Sequence, residues 1–161
     1  MDIFEKLQNL DKRVFYLLMA LAIAIPTIHP IGLPIDVTEP VQRVYDFVSS
    51  LPDGSVVVIG FDYEPGDEID LNPIAQAIMH QLASKKIKIV AIGSFPAGPT
   101  FADECMAILE EYGYEYGVDY VNLGYYAGGE PTLAAFAQNP ASVFPKDWRG
   151  TSIDSLPIMQ E

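Results

Sequence analysis

Basic side chains, histidine and cysteine are all scarce in this chain, and each scarcity removes a class of function. Only 9 Lys and Arg stand against 22 Asp and Glu, a formal charge of −13 over 161 residues. Phosphate binding needs a basic face, so the balance argues for no nucleic-acid partner. The single cysteine, Cys105, excludes an internal disulfide framework and any CxxC or four-cysteine zinc site. GxSxG, Walker A and GxGxxG motifs are absent, and no catalytic signature or cofactor motif takes their place. There is no internal repeat and no low-complexity segment. Apolar residues are abundant: 50% of the chain is hydrophobic and its mean hydropathy is +0.19, too apolar for disorder.

The longest apolar stretch is residues 14–35, 22 residues without Asp, Glu, Lys or Arg. As a helix it would cover roughly 33 Å, the thickness of a bilayer core. Pro26, Pro30 and Pro34 punctuate its second half, so the regular helix is expected to end near Ile25, with a proline-rich exit after it. It would then begin upstream, where Phe4, Leu7 and Leu10 form a stripe at helical spacing. Two alternatives compete with an uncleaved anchor. Ala22-Ile23-Ala24 has the form of a signal-peptidase site, and twelve apolar residues are also within reach of a buried core helix. Continuation of the apolar run past Pro26 to Ile35 favours the anchor. His29 either ligates a pigment or metal or lies at the outer interface beside the prolines, and the interface is preferred. Lys6, Lys12 and Arg13 precede the span while Asp36 and Glu39 follow it, which predicts a cytoplasmic N-terminus. Residues 1–13 carry no net charge, so the part beyond the membrane carries all of the −13.

The remainder alternates strand and helix. A helix over 41–48 follows Thr38 and Pro40, and the run from Ser55 to Asp62 reads as a strand buried on both faces. Residues 71–84 form an amphipathic helix with Lys85 and Lys86 at its negative end. A second strand spans 87–95, Thr100 caps a helix reaching Tyr112, a third strand lies at 120–124, and a helix opens at Pro131. This βαβαβα order predicts an α/β fold with a small parallel sheet in a three-layer, doubly wound or Rossmann-like arrangement. The expected organisation is a cytoplasmic N-terminus (1–13), a transmembrane anchor (14–35), an extracytoplasmic α/β domain (36–139) and an irregular C-terminal extension (140–161). Three strands make a small sheet, and completion by further chain or by a partner is expected.

In such a sheet ligands bind beyond the carboxyl ends of the strands. The first loop packs Asp62, Glu64, Asp67, Glu68 and Asp70 into nine residues. Asp62, Glu64 and Asp67 are the candidate Ca²⁺ or Mg²⁺ ligands, although a solvated acidic loop at a helix start accounts for them better. The second loop offers Ser94 as a nucleophile, with only His29 and His80 in the chain to serve it. In the third, Gly128, Gly129 and Glu130 open a helix and could face an anion. Asp62, Glu64, Ser94, Gly128, Gly129 and Glu130 are therefore the candidate ligand-binding groups. Residues 112–120 hold four tyrosines and two glycines, read either as an interface or as an αβ loop capped by Gly113. Candidate interface residues are Phe15, Leu18, Tyr114, Tyr116, Tyr125 and Trp148.

The segments Leu10-Asp11-Lys12-Arg13, Pro30-Ile31-Gly32-Leu33-Pro34, residues 60–66 (GFDYEPG) and residues 115–125 (EYGVDYVNLGY) carry a further resemblance. Across residue 10 to about 130 the chain resembles an uncharacterised family of bacterial membrane-anchored proteins. The resemblance implies an anchored α/β domain and transfers no activity and no catalytic residue. The expectation is a non-enzymatic accessory or scaffolding subunit of a membrane complex, with other membrane-protein subunits and the lipid bilayer as partners. The alternative is an extracytoplasmic ligand-binding, metal-binding or enzymatic domain working through the strand-end loops.

Overall fold

The computed structural model describes residues 11–29, 32 and 36–160, and the chain divides into two compact units, Met1–Thr38 and Glu39–Glu161. In the first, helix α1 runs over Lys12–Ile28. Asp11 caps it, its carboxylate accepting the Arg13 N–H at 3.0 Å. The helix was expected to stop near Ile25, but it carries Pro26 inside its last turn. Proline there removes a single backbone donor, and the next turn still closes when the His29 N–H reaches Ile25 O at 2.9 Å. No residue of α1 is buried. Among the described residues no helix is long and apolar enough to cross a membrane. The 17 residues of α1 give a rise of about 25 Å against a hydrocarbon core of about 30 Å. The upstream stripe of Phe4, Leu7 and Leu10, and the prolines Pro30 and Pro34, lie outside the described residues.

The second unit is α/β. Its elements are α2 (Glu39–Ser50), β1 (Val56–Gly60), α3 (Glu68–Ser84), β2 (Lys88–Gly93), α4 (Gly98–Met106), β3 (Tyr120–Tyr125), α5 (Glu130–Gln138) and the short α6 (Pro140–Val143). The three strands are parallel in the order β1-β2-β3. Ile89 and Ala91 of β2, with Tyr120 of β3, pack beneath α3 and α4 against Met79, Leu82, Phe101 and Cys105. Val90, Ile92, Val121 and Leu123 face the other way, onto Tyr126, Phe144, Ile153, Leu156 and Ile158.

This corrects the doubly wound expectation. Sequential strand order puts both crossover helices on one face, as right-handed connections in a single direction must. Over β2 and β3 the second face is covered by α5, α6 and the irregular chain after them: Phe136, Ala141 and Val143 pack there beside four buried apolar side chains, Phe144, Ile153, Leu156 and Ile158. Thr100 is not the cap of α4. That helix starts at Gly98, because the turn before it closes through the backbone, Gly98 N–H to Phe95 O at 2.9 Å and Thr100 N–H to Ala97 O at 3.0 Å. Beyond Met106 it tightens into a 3₁₀ turn, Ala107–Tyr112, and ends at Gly113 with φ +78°, as its C-cap glycine requires.

Candidate functional site

The ends of the three strands bring Asp62, Ser94 and Tyr126 together. The Ser94 N–H donates to Asp62 Oδ1 at 2.7 Å, and the Tyr126 N–H donates to Gly93 O at 2.9 Å. Glycine makes this convergence possible. A Cβ on Gly60 would stand 2.5 Å from Asp62 Oδ2, and one on Gly98 would drive into the Phe61 carbonyl, far inside van der Waals contact. Tyr126 is buried. That burial, and next the Asp62 carboxylate, push its phenol above the ordinary range, while a hydrogen bond with Ser94 works the other way. Sequence reasoning did not select Tyr126, although its position directly after β3 was a usable signal.

Glu64 and Asp67 have local duties. They close a capping box around the turn Pro65–Asp67, where the Glu64 N–H reaches Asp67 Oδ2 at 3.4 Å. Among the described residues no group of three or more His, Cys, Asp and Glu side chains is arranged to hold a metal ion. His80 lies away from Ser94, its Nδ1 paired with the Tyr112 hydroxyl at 2.8 Å. Cys105 is buried, and burial pushes its thiol up, the opposite of what a nucleophile needs. Gly128 and Gly129 adopt φ of +107° and +60° to turn the chain into α5. Glu130 occupies the first turn of that helix, where its negative charge suits the positive end of the helix dipole.

Two grooves flank the strand ends. One, about 290 Å³, is apolar and lies between β1 and α3, lined by Ile59, Phe61, Tyr63, Leu71, Ile74 and Ile78. The other, about 570 Å³, lies between the turn after β3 and α5, lined by Tyr125, Tyr126, Pro131, Thr132, Ala135 and Val143. The hydroxyl of Thr132 donates to Ala127 O at 2.8 Å and holds the wall of this second groove.

The tyrosine segment works chiefly within the fold. Tyr114 donates to Ile87 O at 2.9 Å. Tyr116 donates to the buried carboxylate of Asp147 at 2.9 Å, and the Arg149 guanidinium lies 3.6 Å from its ring centroid. Burial first, then the Asp147 hydrogen bond, raise the Tyr116 phenol well above its usual range. The Trp148 N–H donates to Asn122 O at 2.9 Å. Asn122 itself is fully buried in β3. It donates to Pro99 O at 2.8 Å and Asp103 Oδ1 at 3.0 Å, and its Oδ1 accepts the Gly124 N–H at 3.1 Å across an irregularity in the β2–β3 register. A lone polar residue inside an apolar strand was the signal for it. Tyr125 and Trp148 remain 44% and 46% exposed and are the members of the aromatic set still open to a partner. Phe15 and Leu18 are exposed on α1.

Comparison with protein-family models, with curated proteins and with solved structures gave no match for this chain.

Proposed function

We propose that this chain is a non-enzymatic accessory subunit of a multisubunit membrane complex. Its N-terminal segment, 14–35, is lodged in the bilayer among neighbouring spans, with the acidic α/β unit on the outer face and the N-terminus in the cytoplasm. The observation that carries the reading is α1. Along its whole length Phe15, Leu17, Leu18, Ile23 and Ile25 are exposed, and no residue is buried. So much apolar surface belongs against lipid or other apolar helices. Support also comes from the strand-end carboxylates, which fasten turns: Asp62 holds the Ser94 amide, and Glu64 and Asp67 cap a helix start.

Mild-detergent extraction of native membranes, affinity isolation and native mass measurement test the reading. Stoichiometric recovery with other membrane-protein subunits is expected. A clean monomer, or release of the chain by an alkaline wash, would overturn it. The rival reading is a small-ligand, metal-binding or enzymatic unit, and it draws on the convergence of Asp62, Ser94 and Tyr126. Calorimetric binding of Ca²⁺, Mg²⁺ or a nucleotide to the full chain, lost in Asp62→Ala, would favour that rival.

A further inference from the structure

The parallel ladder uses one side of β1 only. The Lys88 N–H reaches Ser55 O and the Phe61 N–H reaches Ile92 O, so in a parallel register Ser55, Val57, Ile59 and Phe61 address β2. The N–H and C=O groups of Val56, Val58 and Gly60 then point outward, and among the described residues no strand lies beyond them. The edge carries none of the usual guards within its span: Val56–Gly60 reads VVVIG, without proline or charge. It is apolar on both sides. Val56 and Val58 are 44% and 48% exposed on the open face, and the groove lined by Ile59, Leu71, Ile74 and Ile78 lies on the helical face. At the carboxyl end of β1 stands the acidic loop, Asp62, Glu64, Asp67, Glu68 and Asp70, of which only Glu68 is partly covered.

We infer that the β1 edge is a docking site for an extended segment of a partner protein that adds a strand to the sheet. The occupant alternates apolar side chains and carries Lys or Arg at the end lying over Asp62–Asp70. Backbone pairing supplies the adhesion, the groove and the Val56–Val58 face take the alternate side chains, and the acidic rim sets polarity by charge complementarity. A second copy of this chain fits poorly, because each copy brings a net charge of −13. The inference deepens the accessory-subunit reading, and rests on it, by naming the kind of partner.

The test uses the full chain in detergent and a synthetic peptide of alternating valine and threonine ending in lysines. Binding is expected to slow amide hydrogen exchange at Val56, Val58 and Gly60 by about tenfold or more. The same peptide ending in glutamates is expected to bind about tenfold more weakly at low salt, and the gap is expected to narrow as salt is added. Val58→Pro removes one outward N–H and leaves the bonds to β2 in place, so it is expected to abolish binding with an unchanged circular dichroism spectrum. Unchanged exchange at the three amides, or equal binding of the two peptides, would overturn the inference. The two-peptide comparison needs no variant and holds even where Val58→Pro does not fold. Concentration-dependent protection of the same amides without peptide would assign the edge to a second copy and also overturn it. Recovery of a lone monomer from native membranes defeats the subunit reading and leaves these peptide results standing, so the two failures are distinguishable.

Discussion

Replacing Asn122 by alanine tests whether the sheet is locked from within. The side chain is fully buried and makes three hydrogen bonds, to Pro99 O, to Asp103 Oδ1 and from the Gly124 N–H. Two of these join neutral groups, worth about 1 kcal/mol each, and the third ends on a carboxylate, worth about 2 kcal/mol. The expected loss is about 4 kcal/mol, a large part of the roughly 5–15 kcal/mol that holds a domain of this size. At about 3–5 °C per kcal/mol the melting temperature should fall by roughly 15 °C. Urea unfolding followed by the fluorescence of Trp148, the sole tryptophan, reads this directly, since Trp148 bonds to the Asn122 backbone. Asn122→Asp refines the test. The new carboxyl would be buried beside Asp103, so its folded-state pKa is raised above the unfolded one. The folded state then holds the extra proton, and the variant loses stability as pH rises from the unfolded pKa through the folded one. A loss below about 1 kcal/mol for Asn122→Ala, or a flat pH profile for Asn122→Asp, would refute the reasoning.

Gly98→Ala, which forces a methyl against the Phe61 carbonyl, should cost about 3 kcal/mol, whereas Gly66→Ala meets nothing within 4 Å and should lie within about 1 kcal/mol of the parent by thermal melting. Asp147→Ala leaves the Thr151 N–H without its side-chain acceptor and the Tyr116 hydroxyl with only the longer bond to Asn122 O at 3.4 Å. It should cost about 3 kcal/mol and expose Tyr116 and Tyr120 to faster proteolysis of the C-terminal segment, measured by limited digestion. Tyr63, Tyr114, Tyr116, Tyr120 and Tyr126 all have phenols raised by burial. Above about pH 10 the unfolded chain releases these protons first. The folded state then binds more protons than the unfolded one, so stability should fall as pH rises past that point. Phenolate absorbance that develops without any loss of stability in an alkaline titration would contradict this.

The strands and crossover helices were legible because their signals are local. Residues 55–62 and 87–95 are β-branched runs, and both contain the strands found, Val56–Gly60 and Lys88–Gly93. The helix expected over 71–84 gains one turn at its start, where Glu68 and Asp70 suit the dipole. Thr100 has the chemistry of a cap for α4, but the turn before that helix closes through backbone groups alone. At the candidate site, the pairing of Asp62 with Ser94 was legible only as two loops at one end of a sheet. Their bond depends on how closely Gly60, Gly93 and Gly98 let those loops approach.

The sequence alone determined the acidity, the apolar N-terminal stretch, the alternation of strand and helix, and the absence of familiar catalytic motifs. Composition and periodicity are properties of residues near each other in the chain. Only the tertiary structure decided that both crossover helices share one face, that α5, α6 and the proline-rich chain after them cover the other, and that the Asn122 carbonyl, accepting the Trp148 N–H, and the Asp147 carboxylate, accepting from Tyr116, fasten it there. Among the described residues, it alone left the outer side of β1 without a neighbouring strand, beside an acidic loop. Strand order and side-chain pairing across the fold depend on contacts between residues far apart in the chain, and no local pattern records which distant neighbour each group will meet.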